Sequence, residues 1–343
     1  MNSKLNCSST EDTFSNNAIA LLGNGSWATA MAKIFTDSGI HVHWYFRKEE
    51  DVEYIKKYLH NQNYLTGVHF VREQISPSSN LEDVLKKSKW IVLTIPSAYL
   101  EETLEQIKFP LDDKIVVSGV KGILPKSNRL TGSYLKEFLG LPENQFVVIS
   151  GPSHAEEVAL NQLSFLTLGC VDLKISERLR QMMKTPYLKI KVSDDVLGIE
   201  YSAALKNIFA LAAGIAKGLG YGDNFQSVLI SNATSEMKLF LKEINSSKRN
   251  INKSVYLGDL LVTAYSSHSR NRHFGELIGQ GFNLKEVGQK MKMVAEGYFA
   301  SRTIYNLKKN IKVKTPIIDA VYEILYKKKS PKITFEKLIE KFS

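Results

Sequence analysis

One lysine stands alone in a long apolar stretch in the second half of the chain. Within residues 201–216, Lys206 is the single charged side chain. Burial disfavours the charged form of a lysine and lowers its pKa toward the range where it exchanges protons at neutral pH. Such an amine could act as a general acid or base. The alternative is a lysine at the edge of a helix face, with its stem along apolar surface and its ammonium in water.

Two polar segments further along the chain could complete a site with this lysine. Asp259 lies in an apolar Leu-Gly-Asp-Leu sequence, and Ser269, Arg270 and Asn271 bring hydroxyl, guanidinium and amide groups together. At the start of a helix, such a set could hold a phosphate. Taken singly, Asp259 is also typical of a helix N-cap, and the Ser-Arg-Asn-Arg segment of a polar loop. The seven histidines form no HxxxH or HExxH pattern, so we assign no metal.

A glycine-rich turn near the start of the chain points to a nucleotide. Gly23, Gly25 and Ala28 form the GxGxxG/A pattern between a short apolar run and a helical one. The first glycine permits the tight turn, the second lets the backbone approach a pyrophosphate, and the alanine allows close packing of helix on strand. Free N–H groups at the helix start would hold the pyrophosphate. A glycine turn without a ligand is the alternative.

The residues after the second predicted strand bear on the choice of cofactor. In the NAD-specific pattern, an acidic residue about 20 positions after the glycines binds the ribose 2′-hydroxyl. Here the run 41–46 is followed by Arg47 and Lys48. A guanidinium there would pair with the 2′-phosphate of NADPH. The sequence therefore favours NADPH over NADH, or the use of both. The alternative is that Glu49 and Glu50 bind the ribose hydroxyls of NADH.

The elements that must position these groups follow from the alternation of short β-rich runs with helical patterns. This alternation is typical of βαβ units on a mostly parallel sheet. We expect helices at 27–37, which ends before Gly39, and at 81–87. We expect strands at 18–22, 42–46, 90–95, 115–118, 146–149, 164–168 and 187–192.

The pattern changes near Asp194, where an Ala-rich helical segment begins and strand runs disappear. Ser193, Asp194 and Asp195 supply N-cap residues directly before it. We therefore predict an α/β fold, a Rossmann-type doubly wound, mostly parallel sheet followed by an all-α C-terminal domain. The predicted division is a flexible N-terminal tail at 1–17, a dinucleotide-binding Rossmann domain at 18–194 and a helical substrate-binding domain at 195–343.

Three further strand ends carry residues that suit a ligand. Pro96 follows the strand at 90–95, Lys121 lies between glycines after 115–118, and Gly151 and Ser153 follow 146–149. In an open α/β sheet, ligands bind at the carboxyl ends of the strands. We therefore expect these turns to face one crevice. For Lys121 the alternative is an ordinary surface loop.

Length and composition limit the number of domains and the class of protein. The 343 residues suit two domains, and 43% hydrophobic with 23% charged residues is ordinary for a soluble globular protein. The net charge of +10 is compatible with anionic substrates, and the basic residues show no helix with interleaved aromatics of the kind that binds nucleic acid. Two cysteines provide no disulfide framework, which indicates a reduced, cytoplasmic setting. Neither a signal peptide nor about 18 consecutive apolar residues occurs, so we expect no stable membrane insertion.

Seven motifs in order, GNGSWATA, VKG, SGPSHAEE, LKN, LGDL, SRNRHFG and AEGY, resemble the bacterial NAD(P)-dependent glycerol-3-phosphate dehydrogenase family over about residues 19–326. The resemblance implies reversible hydride transfer between NAD(P)H and dihydroxyacetone phosphate, giving sn-glycerol 3-phosphate for glycerophospholipid synthesis. A small phosphorylated substrate and a homodimer are the expected partners. The alternative is another two-domain NAD(P)-dependent dehydrogenase of the hydroxyacid type; an NADP-sensing protein without catalysis is a further one.

The resemblance also implies roles for particular residues. Lys206 would be the proton acceptor. Substrate positions are Lys121, Gly151, Ser153, Lys206, Asp259, Ser269, Arg270 and Asn271. Cofactor positions, including those from the glycine turn and the strand ends, are Gly23, Gly25, Ser26, Trp27, Arg47, Lys48, Pro96, Lys121, Ala155, Arg270, Val294 and Glu296.

Two residues depart from the family pattern. His154 stands where the family commonly has an aromatic or small polar residue, and Tyr256 where it usually has glycine. We expect Tyr256 to crowd the turn that carries Asp259.

Overall fold

The structure is a computed structural model that describes residues 18–291 and 295–342. The predicted N-terminal tail at 1–17 therefore lies outside the described residues. Eight strands form one sheet: β1 Ala18–Leu22, β2 His41–Tyr45, β3 Ile75–Ser78, β4 Trp90–Leu93, β5 Ile115–Ser118, β6 Phe146–Ser150, β7 Ser164–Gly169 and β8 Leu188–Ser193. Seven of them lie where the sequence predicts strands.

β3 is the strand that the sequence analysis missed. Its sequence, Ile-Ser-Pro-Ser, has one apolar residue and a proline. It pairs only with β2 and forms the edge of the sheet. An edge strand needs hydrogen bonds on one side alone, so it tolerates Pro77 and gives a weak sequence pattern.

The helices in the part of the chain that the structure describes fall into two groups. Those of the sheet region are α1 Ser26–Asp37, α2 Glu49–Tyr58, α3 Leu81–Lys86, α4 Ser97–Leu104, α5 Thr131–Leu139, α6 Ala155–Ala159 and α7 Leu173–Met182. Those that follow are α8 Val196–Gly218, α9 Asp223–Ile244, α10 Asp259–Tyr265, α11 Arg270–Gly279, α12 Leu284–Lys290, α13 Glu296–Leu307, α14 Pro316–Lys327 and α15 Pro331–Ile339. Short 3₁₀ turns lie at Arg72–Gln74, Glu143–Gln145 and Lys308–Asn310, and a π-helical turn at Ser254–Gly258.

The strand order is β3-β2-β1-β4-β5-β6-β7-β8, with all neighbours parallel except β6 and β7. The chain winds from β1 outward through β2 to β3, and then starts again on the other side of β1 with β4. Such a switch point opens a crevice at the carboxyl ends of β1 and β4. This is the doubly wound, mostly parallel sheet that the sequence predicts, followed by helices.

The long helix α8 forms the centre of the helical region. Asp195 is its N-cap and accepts the Gly198 N–H at 3.2 Å, as predicted from the acidic cluster before it. Its length and apolar composition would be enough to cross a membrane, but 83% of its most apolar window is buried inside the protein. It is the core helix that the other helices surround.

Helices α8 and α11 pack with their backbones in contact. A Cβ on Gly214 would lie 2.0 Å from the carbonyl oxygen of Arg272, and one on Gly275 would lie 2.1 Å from that of Leu211. Gly218 and Gly279 make the same kind of approach one turn further along. Only glycine permits this spacing, and it brings the beginning of α11 beside the polar residues in the middle of α8.

Candidate active site

A cleft of about 150 Å³ lies between the carboxyl ends of the central strands and helices α8, α10 and α11. Eleven of the predicted site residues line it: Ser26, Trp27, Pro96, Lys121, Ser153, Ala155, Lys206, Ser269, Arg270, Asn271 and Glu296. The remaining predicted residues lie behind its wall or along the crevice toward β2, apart from Val294, which lies outside the described residues.

Lys206 and Asp259 form a buried ion pair at the cleft. The Lys206 Nζ lies 2.5 Å from Asp259 Oδ1, and both side chains are at most 3% exposed. A lysine whose ammonium reaches water is therefore the wrong alternative. Asp259 begins α10 but its side chain does not cap that helix, so the N-cap alternative is also wrong.

The second oxygen of Asp259 ties the pair to the strand end opposite. Oδ2 accepts hydrogen bonds from Ser150 Oγ at 3.0 Å and from the Gly151 N–H at 3.2 Å. Burial alone would raise the pKa of Asp259, but the ammonium groups of Lys206 and Lys121 outweigh it and hold the pKa low. The carboxylate thus stays charged and orients the Lys206 ammonium.

The turn after β6 requires its glycine. Gly151 has φ of +135°, and a Cβ there would lie 2.4 Å from the carbonyl oxygen of Phe165. Ser153 Oγ donates to the Gly151 carbonyl at 3.0 Å and thereby closes the turn. The substrate-facing turn expected from the sequence is therefore a rigid part of the cleft wall.

Lys121 is the second amine of the cleft. Its Nζ lies 4.9 Å from the centroid of the Trp27 ring. Burial, and then the charge of Lys206, lower the pKa of Lys121 to about 7. Lys121 has no ion pair with a carboxylate among the described residues, and nothing in the sequence pointed to its lowered pKa.

A chain of amide hydrogen bonds joins three helices to the strand end that carries Lys121. Asn207 Nδ2 donates to the Lys121 carbonyl at 2.6 Å, and Asn207 Oδ1 accepts from Asn271 Nδ2 at 2.9 Å. Asn271 Oδ1 in turn accepts the Gly297 N–H at 2.9 Å. This network fixes the side of the cleft between the two lysines and the start of α11.

The Ser-Arg-Asn-Arg segment is the start of α11, and the polar-loop alternative is wrong. Ser269 is the N-cap, and its Oγ accepts the Arg272 N–H at 3.3 Å. Arg270 is the exposed first residue of the helix and lines the cleft. A guanidinium beside free N–H groups at a helix start suits a phosphate.

The glycine turn at the start of α1 has the features of a diphosphate site. Gly25 is the N-cap of α1 without any side-chain cap, and a Cβ there would meet nothing within 4 Å. Gly23 has φ of +120°, and a Cβ there would lie 2.8 Å from Thr94 Oγ1. Its carbonyl accepts a hydrogen bond from Trp44 Nε1 at 2.6 Å. The uncapped amides and open space fit the phosphates of a dinucleotide.

Arg47 and Lys48 follow the end of β2, the strand next to β1, and both are exposed. They do not line the substrate cleft. Their place after β2 is where the end of a dinucleotide distant from the cleft would lie. Glu49, the alternative partner of a ribose diol, accepts a hydrogen bond from the Ser79 hydroxyl. Glu50, the other alternative, is also exposed, so the contact of Arg47 and Lys48 with the cofactor stays a prediction.

Glu296 makes a contact that the sequence could not predict. Its carboxylate accepts the Ser97 N–H at 3.0 Å and also the Ser97 hydroxyl, which joins α13 to the start of α4 directly after Pro96. Burial raises the pKa of Glu296, and the bonds from Ser97 oppose this. The contact closes one end of the cleft.

Sequence reasoning left several cleft residues unassigned. Asn207 and Thr263 both line the cleft without a role predicted from the sequence, although Thr263 lies one helical turn after Asp259 and that spacing was a usable signal. Tyr256 is buried in the π-helical turn that leads to Asp259, and its hydroxyl donates a hydrogen bond to Asp195. His154 lines the cleft with its ring 5.9 Å from that of His268.

Comparisons with known proteins agree over most of the chain. The family model described as NAD-dependent glycerol-3-phosphate dehydrogenase N-terminus matches residues 18–176, and the corresponding C-terminus model matches residues 195–336. A protein of Chlorobium limicola named glycerol-3-phosphate dehydrogenase (NAD(P)+) is 34% identical over 313 residues, which cover 91% of this chain and 94% of that protein.

Two further matches are also glycerol-3-phosphate dehydrogenases and also extend over most of the chain. A protein of the same name from an Exiguobacterium species is 34% identical over 325 residues, covering 94% of this chain and 95% of its own length. The crystal structure of glycerol-3-phosphate dehydrogenase from Coxiella burnetii superposes with a TM-score of 0.87 at 28% identity, covering 94% of this chain and 99% of that one.

Proposed function

The chain belongs to the NAD-dependent glycerol-3-phosphate dehydrogenase family, and we propose that its cleft interconverts dihydroxyacetone phosphate and sn-glycerol 3-phosphate with Lys206 as the proton-transferring group. It is an NAD(P)-dependent oxidoreductase, and its product serves glycerophospholipid synthesis. Both halves match the models of this one family, so the hydroxyacid dehydrogenase alternative is not favoured.

The observation that carries the proposal is the buried Lys206–Asp259 pair on the wall of the cleft. Reduction of a ketone leaves negative charge on its oxygen, and an ammonium there both stabilises that charge and donates the proton. Asp259 orients the amine, which donates the proton in the reduction and, as the neutral amine, takes it from the hydroxyl in the reverse direction. Lys121 adds a second positive charge close to the same oxygen.

The phosphate of the substrate is assigned to the start of α11. Arg270 supplies the charge, Ser269 caps the N–H of Arg272, and the other N–H groups of the first turn are proposed to bind the phosphate. Asn271 uses its side-chain oxygen and one amide hydrogen to link α8 and α13, which leaves one amide hydrogen for the substrate. We assign Gly151 and Ser153 to the wall that keeps the carbon chain beside Lys206.

The cofactor is NAD or NADP, and we propose a preference for NADPH. Its nicotinamide supplies the hydride for reduction and accepts it in the reverse direction. We assign the diphosphate to the α1 start at Gly23, Gly25 and Ser26, and the 2′-phosphate to Arg47 and Lys48. For the cleft end of the cofactor we propose Trp27, Pro96, Lys121, Ala155, Arg270 and Glu296, with Val294 from outside the described residues.

Several broader predictions stay proposals. They are the domain boundary between residues 194 and 195, a homodimer, a cytoplasmic location, and the absence of metal, nucleic acid and membrane insertion. The buried thiol of Cys170 is consistent with a reduced compartment. Light scattering coupled to size-exclusion chromatography tests the homodimer.

The function is tested by following NADPH absorbance after dihydroxyacetone phosphate is added to the purified full-length chain. Loss of absorbance that depends on both substrate and enzyme, with sn-glycerol 3-phosphate as the product, is expected. The same assay with NADH measures cofactor preference. No turnover with either cofactor would contradict the proposal.

A further inference from the structure

Two ring nitrogens beside the cleft, Trp27 Nε1 and His154 Nε2, have no hydrogen-bond partner in residues 18–291 and 295–342, and only the second can accept a hydrogen bond. His154 directly precedes α6 in the turn after β6 and lines the cleft together with Lys121 and Lys206. Its Nε2 is shielded from solvent and has no hydrogen-bond partner among the described residues. Because buried polar atoms in native proteins are nearly always paired, this nitrogen calls for a ligand or a water.

The protonation state of the ring follows from its surroundings. Burial lowers the pKa of His154, and the positive charges of Lys121 and Lys206 lower it further, against a smaller opposing effect of Glu156. The ring is therefore neutral at physiological pH and carries one proton. With that proton on Nδ1, the nitrogen that carries none is Nε2. Nε2 thus presents a lone pair and acts as an acceptor.

The carboxylate and amide oxygens of the cleft wall, apart from those of Glu156, are already engaged. Asp259 accepts from Lys206, Ser150 and Gly151, and Glu296 accepts from Ser97. The side-chain oxygens of Asn207 and Asn271 are likewise taken up in the amide network. Of the cleft carboxylates, Glu156 remains, and it is half-buried at the start of α6.

The proposed substrate brings one hydrogen-bond donor into this cleft. Dihydroxyacetone phosphate has a ketone oxygen and an ionised phosphate, both of which accept, and a single free hydroxyl that donates. The ammonium and guanidinium groups serve the two acceptors. The hydroxyl hydrogen needs an acceptor, because burying it unpaired would weaken binding.

We infer that His154 Nε2 accepts a hydrogen bond from the free hydroxyl of the substrate, so that the enzyme selects a hydroxymethyl ketone over a methyl ketone. The inference rests on the proposed function and adds a specificity residue to it. A site built to bond a hydroxyl rejects the analogue that lacks it, because the site's own polar atom is then left unpaired.

The test compares two substrates of the full-length enzyme with NADPH under single-turnover conditions. One is dihydroxyacetone phosphate, and the other is acetol phosphate, which has a methyl group in place of the hydroxymethyl. His154→Phe should lower kcat/KM for the first about tenfold or more and leave that for the second within about threefold. His154→Gln, whose side-chain oxygen can accept the same bond, should recover part of the preference.

The matched control is His273→Phe, since His273 is exposed on α11 and does not line the cleft. Equal losses on both substrates in His154→Phe would overturn the inference and leave the histidine a structural part of the turn. Unchanged activity would overturn it too, as would a preference that is lost in Glu156→Gln but kept in His154→Phe. Failure of the proposed function looks different, because the unsubstituted enzyme would then not reduce dihydroxyacetone phosphate at all.

Discussion

At the cleft, one ammonium has a carboxylate partner and a neighbouring ammonium does not. Lys206 is paired with Asp259, whereas Lys121 lies over the Trp27 ring and has a pKa of about 7. In the enzyme without substrate, Lys121 loses its charge above that pH. A bound dianionic substrate would favour the charged form. Two lysines at one site can thus divide the work of proton transfer and charge stabilisation.

Lys206→Arg tests the proton-transfer role. The guanidinium keeps a positive charge beside Asp259 but cannot release a proton at neutral pH, so kcat should fall by ~10²- to 10⁴-fold. Single-turnover hydride transfer measures the effect, and NADPH fluorescence and the Tm confirm that the variant is folded and binds cofactor. Lys217→Arg on the exposed end of α8 is the control. Activity within about fivefold of the unsubstituted enzyme would assign proton transfer elsewhere.

Arg270→Ala tests the phosphate site at the start of α11. The KM for dihydroxyacetone phosphate should rise steeply. The loss of one charge-assisted hydrogen bond corresponds to about 2 kcal/mol of apparent binding free energy. Turnover of unphosphorylated dihydroxyacetone should hardly change, because that substrate never uses the guanidinium. Arg72→Ala, at an exposed position outside the cleft, serves as the control. Equal effects on both substrates would show that Arg270 serves the fold or the cofactor.

Arg47→Asp tests the basis of the cofactor preference. The substitution should weaken the binding of NADPH by about 2 kcal/mol more than that of NADH, since only NADPH carries a 2′-phosphate. KM values for the two cofactors, with Arg72→Asp as a charge-matched control, decide the point. A parallel change in both values would rule out recognition of the 2′-phosphate by this residue.

At the scale of elements, the contact between α8 and α11 sets the geometry of the site. α8 carries Lys206 and α11 begins with Arg270, and glycines four residues apart on each helix let the two backbones touch. The distance between the proposed proton donor and the proposed phosphate site therefore depends on glycines outside the cleft lining.

Gly275→Ala should separate these helices. Its new methyl group would lie 2.1 Å from the Leu211 carbonyl oxygen, so we expect a loss of about 1–3 kcal/mol in stability, although alanine is the better helix former. KM for dihydroxyacetone phosphate should rise as well. Gly288→Ala in α12 is the matched control, because a Cβ there meets nothing within 4 Å and should leave the Tm equal or higher. Equal Tm values for the two variants would refute the packing argument.

At the scale of the whole molecule, buried carboxylates tie distant segments together. Glu296 joins α13 to the start of α4, and Glu236 of α9 accepts the N–H groups of Ile317 and Ile318 at 2.9 and 3.0 Å. In the second case a side chain in one helix caps the start of another. Burial, the largest cause, raises the pKa of Glu236 to about 8, and its bonds from the backbone oppose the shift.

The raised pKa of Glu236 predicts a pH dependence of stability. The folded protein holds this proton between the ordinary value of 4.5 and about 8, where the unfolded chain has released it. The free energy of unfolding should therefore fall as pH rises through this window, by up to ~1.4 kcal/mol per pH unit. Glu200, with a pKa raised to about 7 by burial, contributes in the same direction.

Glu236→Gln removes the titrating group and keeps an acceptor for α14. Urea unfolding at several pH values should show a flatter dependence for this variant than for the unsubstituted enzyme. Glu243→Gln, exposed on the same helix, is the control and should leave the slope unchanged. A steep slope that persists in Glu236→Gln would mean that other groups cause the dependence.

The sequence by itself determined the fold class, seven of the eight strands, the glycine turn and the lone lysine. These are local patterns, because alternation of runs, spacing of glycines and absence of charge are properties of neighbouring residues. The ordered motifs added the family and the reaction. β3 escaped because an edge strand with Pro77 needs little apolar pattern.

Only the tertiary structure decided which groups meet. Two contacts join segments far apart in the chain: the ion pair of Lys206 with Asp259 and the hydrogen bond from Ser97 to Glu296. The lack of a partner for His154 Nε2 likewise depends on which segments surround it. Their contacts depend on how closely α8 and α11 pack and on how the helices sit against the carboxyl ends of the strands. That placement comes from burial summed over many side chains, and no local pattern of residues encodes it.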